Sequence, residues 1–142
     1  MKIYVAADHA GFIFRAKVIK YLTKLGHEVI DLGNAVYNAQ DDYPDFAQRL
    51  AKKVLSDKQS RGVLVCGSGQ GVCMAANRFR GIYGVVGLSR RSVTMARADE
   101  NANVLCLGSL IMTFPKTQPI IDAWLNTKPS SAKRHQRRLA KY

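Results

Sequence analysis

Acidic residues are scarce in this chain, because 10 Asp and Glu stand against 22 Lys and Arg in 142 residues. The resulting net charge of +12 favours an anionic partner and leaves nucleic acid, an acidic protein and a phosphorylated substrate as open classes. Residues 128–142 contain lysines and arginines but no Asp or Glu. The charge excess is therefore concentrated partly in a basic C-terminal tail that begins at about residue 128.

Cysteine is also rare, with three in the chain, and each lies in or beside an apolar run. This low and odd count excludes a disulfide-stapled scaffold and favours reduced thiols and a cytoplasmic location. No apolar stretch reaches the length of a membrane span, and the first residues enter a strand pattern without the layout of a signal peptide. With 47% hydrophobic residues, the sequence predicts one globular domain over residues 1–142.

Short β-branched runs alternate with helical patterns along the chain, which predicts an α/β fold with a parallel sheet. Two stretches have apolar residues at helical spacing, and each predicts a helix with one inward-facing side. Leu25 is the last apolar residue of the first such side, and Leu55 is the last of the second. The last apolar helix is predicted from Pro119 to Leu125, and Trp124 is predicted to be a packing residue within it. The predicted strands are Ile3–Ala6, Val29–Ile30, Val63–Val65, Tyr83–Gly87 and Val104–Leu107.

The most informative stretch is Val63 to Gly71, in which an apolar strand ends in Cys66 and three alternating glycines lead into a helix. A strand, a glycine loop and a helix start present backbone N–H groups to an anion. A thiol at this place also meets the helix dipole, which favours the thiolate form. The pattern indicates chemistry on a small anionic substrate, and the alternative is a tight turn with a buried structural cysteine.

Other polar clusters also follow strands. Asp8-His9 comes directly after the first strand, and Asp42-Tyr43 begins the helix that follows the second. Because parallel α/β sheets bind ligands at the carboxyl ends of their strands, these residues are expected near the Cys66 loop. Asp42 is interpreted mainly as the side-chain cap of its helix. Asp99 to Asn103 precedes the last strand, in a segment predicted to be an exposed loop.

Six motifs occur in order along the chain: Asp8-His9-Ala10-Gly11, Asp42-Tyr43-Pro44, Cys66 to Gly71, Ala75-Ala76-Asn77-Arg78, Ala102-Asn103-Val104-Leu105 and Arg134-His135-Gln136. Together they resemble the ribose-5-phosphate isomerase B family, which also contains the galactose-6-phosphate isomerase subunits. The resemblance covers nearly the whole chain. It implies a Rossmann-like three-layer αβα sandwich and an aldose–ketose isomerase of the pentose phosphate pathway that uses no cofactor and no metal. It also implies a homodimer or homotetramer whose sites are built from two subunits.

The resemblance assigns roles residue by residue. Cys66 takes the place of the base that moves the proton, and Ser68 the place of a hydroxyl near the sugar ring. Isomerisation also needs donors for the enediolate oxygen, and glycines leave room for backbone amides to supply them. The remaining implied substrate-binding residues are Asp8 and Tyr43 at the sugar, Gly67, Gly69, Gly71 and Asn101, and His9, Arg134 and Arg138 at the phosphate. The two arginines are expected to come from the partner subunit's tail.

Two positions depart from the family pattern. Asp99, followed by Glu100, stands where the family has the histidine that opens the sugar ring, and Leu110 replaces an arginine that contacts phosphate. Asp99 is the candidate for the ring-opening role, but a carboxylate is ionised at neutral pH and donates protons poorly. We therefore expect ring opening to occur in solution. The departures leave a six-carbon sugar phosphate, with this chain as one subunit of a heteromer, as an alternative.

A non-catalytic alternative is a sugar-phosphate-binding or nucleic-acid-binding protein that kept the fold. The basic tail would then serve as an arm that touches RNA, although runs of charge are more often just solvated. Nucleic acid binding is therefore not the preferred interpretation. Cys73 and Cys106 are predicted to be core residues without a chemical role.

Overall fold

The fold is built on a five-stranded sheet in which every pair of neighbouring strands is parallel. The computed structural model describes residues 1–142. Buried apolar residues such as Val63 and Val65 fill the central strands, as expected where helices cover both faces of a parallel sheet. The strands are β1 (Lys2–Ala7), β2 (Glu28–Asp31), β3 (Arg61–Cys66), β4 (Gly84–Val86) and β5 (Val104–Gly108), in the spatial order β2-β1-β3-β5-β4.

Helices connect the strands and confirm the predicted α/β alternation. A 3₁₀ turn at His9–Gly11 leads from β1 into the first α-helix. The α-helices are α1 (Phe12–Lys24), α2 (Tyr43–Ser56), α3 (Gln70–Ala76), α4 (Arg90–Glu100), α5 (Phe114–Asn126) and α6 (Lys133–Leu139). No helix is both long enough and apolar enough to cross a membrane.

The core consists of two layers of side chains, one on each face of the sheet. Alternation along β3 divides them, because Val63 and Val65 pack with α1 and α5 while Leu64 and Cys66 pack with α2 and α3. Trp124 of α5 is fully buried in the first layer, as predicted. Helices on both faces give the three-layer αβα sandwich expected of a Rossmann-like fold.

After the neighbouring strands β1 and β3, the chain turns toward opposite faces of the sheet. Ala7 at the end of β1 pairs with Val65 near the end of β3. The following helices, α1 and α3, nevertheless pack on opposite faces of the sheet. This divergence opens a crevice at the carboxyl ends of β1 and β3, which is where such sheets bind ligands. The Asp8-His9 and Cys66–Gly71 motifs both lie at this crevice.

Several helix boundaries differ from the predictions. Leu25 and Leu55 are exposed and do not extend the inward faces, because each lies at the end of its helix. Helix α5 begins five residues before Pro119, at Phe114. Pro115 occupies the first turn, and Pro119 lies inside the helix. The start of α5 was therefore predicted more than one turn too late.

Two polar segments also differ from expectation, and the basic tail has a structure that was not predicted. Asp42 lies at the N-cap position of α2, but its side chain makes no capping hydrogen bond, so the predicted side-chain cap was wrong. Asp99 and Glu100 are the last residues of α4 and not part of a loop. The basic tail contains a helix, α6, which packs near the end of α4, where the backbone N–H of Ser130 donates to the carbonyl of Ala98 at 2.8 Å.

Candidate active site

Asp8 lies directly after β1 and is almost completely buried. Its carboxylate accepts a hydrogen bond from the backbone N–H of Gly11 at 3.0 Å and so caps the 3₁₀ turn. Burial raises the pKa of this carboxyl, and the hydrogen bond from Gly11 opposes the shift. Asp8 thus has a structural task in addition to its predicted place in the substrate pocket.

His9 contacts Asp41, a residue from the loop that precedes α2. Nδ1 of His9 lies 2.8 Å from Oδ1 of Asp41, and the backbone N–H of His9 donates to the same oxygen at 2.8 Å. The hydrogen bond to Asp41 is the main cause that raises the pKa of His9, desolvation opposes it, and the nearby Asp8 adds to it. This arrangement favours a positively charged imidazolium, which is suited to binding an anion.

Cys66 ends β3 with its side chain on the α2 and α3 face, and it is almost completely buried. Its Sγ accepts a hydrogen bond from the backbone N–H of Gly69 at 3.1 Å. Gly69 has a φ of +78° and a ψ of −13°, a left-handed conformation that glycine adopts without strain. The turn that glycine permits therefore aims a donor at the sulfur.

Tyr43 at the start of α2 lies against the glycine loop. A Cβ at Gly71 would come within 2.9 Å of the Tyr43 ring, so glycine is required for this close approach. Ser68, which is exposed, accepts a hydrogen bond at Oγ from the backbone N–H of Gln70 at 3.2 Å. Tyr43, Ser68 and Cys66 are therefore brought to one loop, as the motifs predicted.

Leu110 covers the other side of the loop. Its backbone N–H donates to the carbonyl of Gly67 at 2.9 Å, and its Cδ1 lies 3.3 Å from where a Cβ of Gly67 would be. The side chain is 80% exposed. The position at which the resemblance expects an arginine is thus an apolar, solvent-facing edge of the site.

Ser109 links the loops that follow three different strands. Its hydroxyl donates to the carbonyl of Ala10 at 2.7 Å and lies 3.1 Å from the carbonyl oxygen of Cys66. Its backbone N–H donates to that same Cys66 oxygen at 2.9 Å. These contacts fix the loop after β1 against the end of β3 and hold Cys66 in place.

The other predicted site residues lie at the opposite end of the sheet. Oδ1 of Asp99 is 3.7 Å from Nε2 of His135, which lies beside Arg134 on α6. Asn101 ends α4 with a φ of +52°, and its carboxamide oxygen accepts a hydrogen bond from Arg97. Arg138 is exposed on the same short helix. These residues form a second group, which we call the α4–α6 group: Asp99, Asn101, Arg134 and Arg138.

The length of β3 separates this group from Cys66. Asn103, just after the α4–α6 group, accepts a hydrogen bond at its carbonyl from the N–H of Gly62 at 3.0 Å, which marks the amino end of the strand. Gly62 and Cys66 are four strand residues apart, a distance of about 13 Å. One copy of the chain therefore does not bring Asp99 or the tail arginines to Cys66.

A cleft also lies away from the Cys66 loop, beside the α4–α6 group. Its volume is about 850 Å³. Glu100 and Tyr142 line it, and the hydroxyl of Tyr142 donates to the Glu100 carboxylate at 3.3 Å. No group of three or more His, Cys, Asp or Glu side chains is arranged to hold a metal ion.

A family model described as Ribose/Galactose Isomerase matches residues 3–142. The chain belongs to the ribose/galactose isomerase family. It is an enzyme, an aldose–ketose isomerase, and the resemblance drawn from the six motifs is confirmed.

Relatives within the family match along nearly their whole length. The probable ribose-5-phosphate isomerase B of Mycoplasma genitalium is 41% identical over 141 residues, which are 98% of this chain and 91% of that protein. Ribose-5-phosphate isomerase B of Mycobacterium tuberculosis is 37% identical over 139 residues, 98% of this chain and 86% of that protein. The crystal structure of the M. genitalium enzyme with bound ribulose-5-phosphate has a TM-score of 0.92 and 39% identity, covering 99% of this chain and 92% of that one.

For an isomerase of this family, the crevice at β1 and β3 offers the groups that the reaction needs. Cys66 is a candidate base with a donor at its sulfur, and His9 is a candidate to bind an anion, because its raised pKa favours the cationic form. Two residues at this crevice were missed from the sequence, Asp41 and Ser109. Each acts through contacts between distant parts of the chain, and no local motif signals them.

Proposed function

We propose that this isomerase interconverts ribose 5-phosphate and ribulose 5-phosphate, with Cys66 as the group that moves the proton. The observation that carries the proposal is the position of Cys66 Sγ at the carboxyl end of β3, 3.1 Å from the N–H of Gly69. The thiolate is the form in which a cysteine acts as a base, and a backbone N–H directed at the sulfur is a donor that can contact it. The names of the relatives from M. genitalium and M. tuberculosis support the five-carbon substrate.

The proposed reaction is a proton transfer between adjacent carbons. The Cys66 thiolate removes the proton from C2 of the open-chain aldose, and an enediolate forms across C1 and C2. The thiol returns the proton to C1, while a proton passes from O2 to O1 with Ser68 as the nearby hydroxyl. Backbone donors of the loop from Gly67 to Gly71 stabilise the negative oxygen. The product is the ketose, with no atom gained or lost.

The proposed substrate lies with its sugar between Asp8 and Tyr43 and its phosphate at His9. A protonated His9 supplies one positive charge on the same chain. Arginine is suited to complete the phosphate site, because its planar guanidinium meets phosphate oxygens in pairs. Arg134 and Arg138 are exposed and available for this task.

We further propose that each site is shared between two copies, as a homodimer or a homotetramer. The separation of the α4–α6 group from Cys66 supports this, since a second copy is needed to bring the arginines and Asp99 to the loop. Met74 on α3 is 71% exposed, and Leu110 beside Gly67 is 80% exposed. Exposed apolar side chains near the loop fit a surface that another copy covers. Asn101 would accompany the group from the partner copy.

The proposal has two further parts that concern the whole chain. Residues 1–142 act as one functional unit, since the Cys66 loop and the α4–α6 group both serve the same reaction. The cytoplasm is the proposed location, because all three cysteines are free and buried and a reducing compartment keeps them so.

The direct test is to incubate the purified chain with ribose 5-phosphate and to follow ketose formation. Six-carbon aldose phosphates, including galactose 6-phosphate, are assayed in parallel. Because the proton on carbon passes through the enzyme, a run in D₂O should place deuterium at C1 of the product. Turnover of ribose 5-phosphate well above the six-carbon sugars is expected. Turnover of only a six-carbon phosphate, or of none, would contradict the proposal.

A further inference from the structure

We propose that Asp41 is a positioning residue that fixes the His9 imidazole for the anionic end of the substrate, an inference that rests on the proposed function. Asp41 lies 32 residues from His9 in the sequence and belongs to none of the motifs that signal the family. Its contacts with His9 are the reason for the assignment. Both a backbone and a side-chain nitrogen of His9 lie 2.8 Å from the same carboxylate oxygen.

The contact fixes which nitrogen of His9 can meet the substrate. Nδ1 faces Asp41 and therefore carries its proton toward that carboxylate, while Nε2 has no protein partner. The His9 side chain is 37% exposed, whereas the Asp41 side chain is only 9% exposed. Asp41 thus holds the ring from the protein side and leaves its other edge open to a ligand.

The Asp41 carboxylate is itself held by the protein. The Asn34 side-chain amide donates to its second oxygen, Oδ2, at 3.1 Å. The carbonyl of Asn34 in turn accepts a hydrogen bond from the guanidinium of Arg15 at 2.7 Å. Arg15 is a buried residue of α1 that also lies over the ring of Phe12. A continuous series of contacts therefore connects helix α1 to the imidazole through the loop that carries Asn34 and Asp41.

The charge of His9 depends on the same contact. The titratable groups that face the ring are Asp41, from the loop before α2, and Asp8, on its own turn. Asp41 has the largest influence, and both carboxylates raise the pKa of His9. Because the raised pKa keeps the cation present to higher pH, affinity for a phosphorylated ligand should fall as the pH rises through it. Removing Asp41 should move that fall to lower pH.

The experiment compares Asp41→Asn with Asp42→Asn in the full chain. The neighbouring Asp42 makes no side-chain hydrogen bond to its helix, so its variant controls for the loss of one negative charge in the same segment. NMR titration of the His9 ring in the free enzyme and the affinity for inorganic phosphate are measured as functions of pH. KM and kcat for ribose 5-phosphate are measured in parallel.

Asp41→Asn should lower the pKa of His9 and weaken phosphate binding near neutral pH by about tenfold, with KM raised similarly and kcat little changed. Asp42→Asn should leave the titration and the affinity close to those of the unchanged chain. An unchanged His9 titration in Asp41→Asn, or equal effects of the two variants, would overturn the inference. The titration and phosphate binding need no turnover, so they decide it even if ribose 5-phosphate is not the substrate.

Discussion

The hydroxyl of Ser109 donates a hydrogen bond to the carbonyl of Ala10 across 2.7 Å, and this contact joins the loop after β5 to the loop after β1. Ser109 also donates its backbone N–H to the carbonyl of Cys66. One small side chain thereby fixes the relative positions of the Asp8-His9 turn and the Cys66 loop. The site depends on this contact, because reacting groups lose much of their effect when they are displaced by about 1 Å.

Ser109→Ala should lower kcat by about tenfold and the free energy of unfolding by about 1–2 kcal/mol. The Ala10 carbonyl loses its donor, and the loop after β1 is released from Cys66. The control is Ser56→Ala, which removes an exposed hydroxyl that donates within α2 and should change neither quantity appreciably. Equal behaviour of the two variants in the assay and in denaturant titration would contradict the linking role of Ser109.

Gly71→Ala should destabilise the protein by about 1–3 kcal/mol, because the new methyl group meets the Tyr43 ring. The cost should shrink in a Tyr43→Ala background, where the ring is absent and the methyl group has space. The measurement is a double-mutant cycle on the free energy of unfolding. Additive effects of Gly71→Ala and Tyr43→Ala would show that the ring does not lie on the loop.

Mixed dimers should show whether the sites are shared. One chain has Cys66→Ser, and the other has Arg134→Ala with Arg138→Ala. If each site combines Cys66 of one copy with arginines of the other, random mixing restores about a quarter of full activity, because half of the dimers then have one intact site. No recovery after confirmed subunit exchange would assign the arginines to the same copy as the cysteine they serve.

Asp99→Asn should lower kcat by far less than the ~10²–10⁴-fold that follows removal of a general acid. Carboxylates in general are ionised at neutral pH and donate protons poorly. Asp99→His should gain rate on ribose 5-phosphate by supplying a group that can both accept and donate a proton. Asp45→Asn, at an exposed carboxylate of α2, is the matched control. A severe loss in Asp99→Asn with the fold intact would mean that Asp99 opens the ring.

The sequence predicted the features that local patterns determine. Alternating strands and helices gave the parallel sheet, and the glycines after Cys66 gave the loop at its carboxyl edge. Helix ends were less predictable, because Pro119 resembles a helix start although Pro115 already occupies the first turn of α5. Periodicity also continues past the last turn that packs on the sheet, so Leu25 and Leu55 were assigned to the core although they are exposed.

Contacts between distant residues explain what the sequence did not reveal. Ser109 and Ala10 are 99 residues apart, and His9 and Asp41 are 32 residues apart. No local spacing rule predicts either contact, because the sheet topology alone brings the two residues of each pair together. Position after a strand placed Asp8-His9 at the same edge of the sheet as Cys66. Asp99 comes before β5 and lies at the opposite edge, a separation on which the order of the motifs gave no information.

The central claim is that Cys66 moves the proton, and the rate of Cys66→Ser with ribose 5-phosphate tests it most directly. Cys73→Ser is the control, since it makes the same change at a buried cysteine of the same core layer. Cys66→Ser should lose ~10²–10⁴-fold in kcat, because a hydroxyl is a far weaker base than a thiolate, while its fold and its affinity for the sugar phosphate persist. Cys73→Ser should keep most of its rate. A Cys66→Ser enzyme that retained most of its kcat would contradict the account and assign the proton transfer to another group.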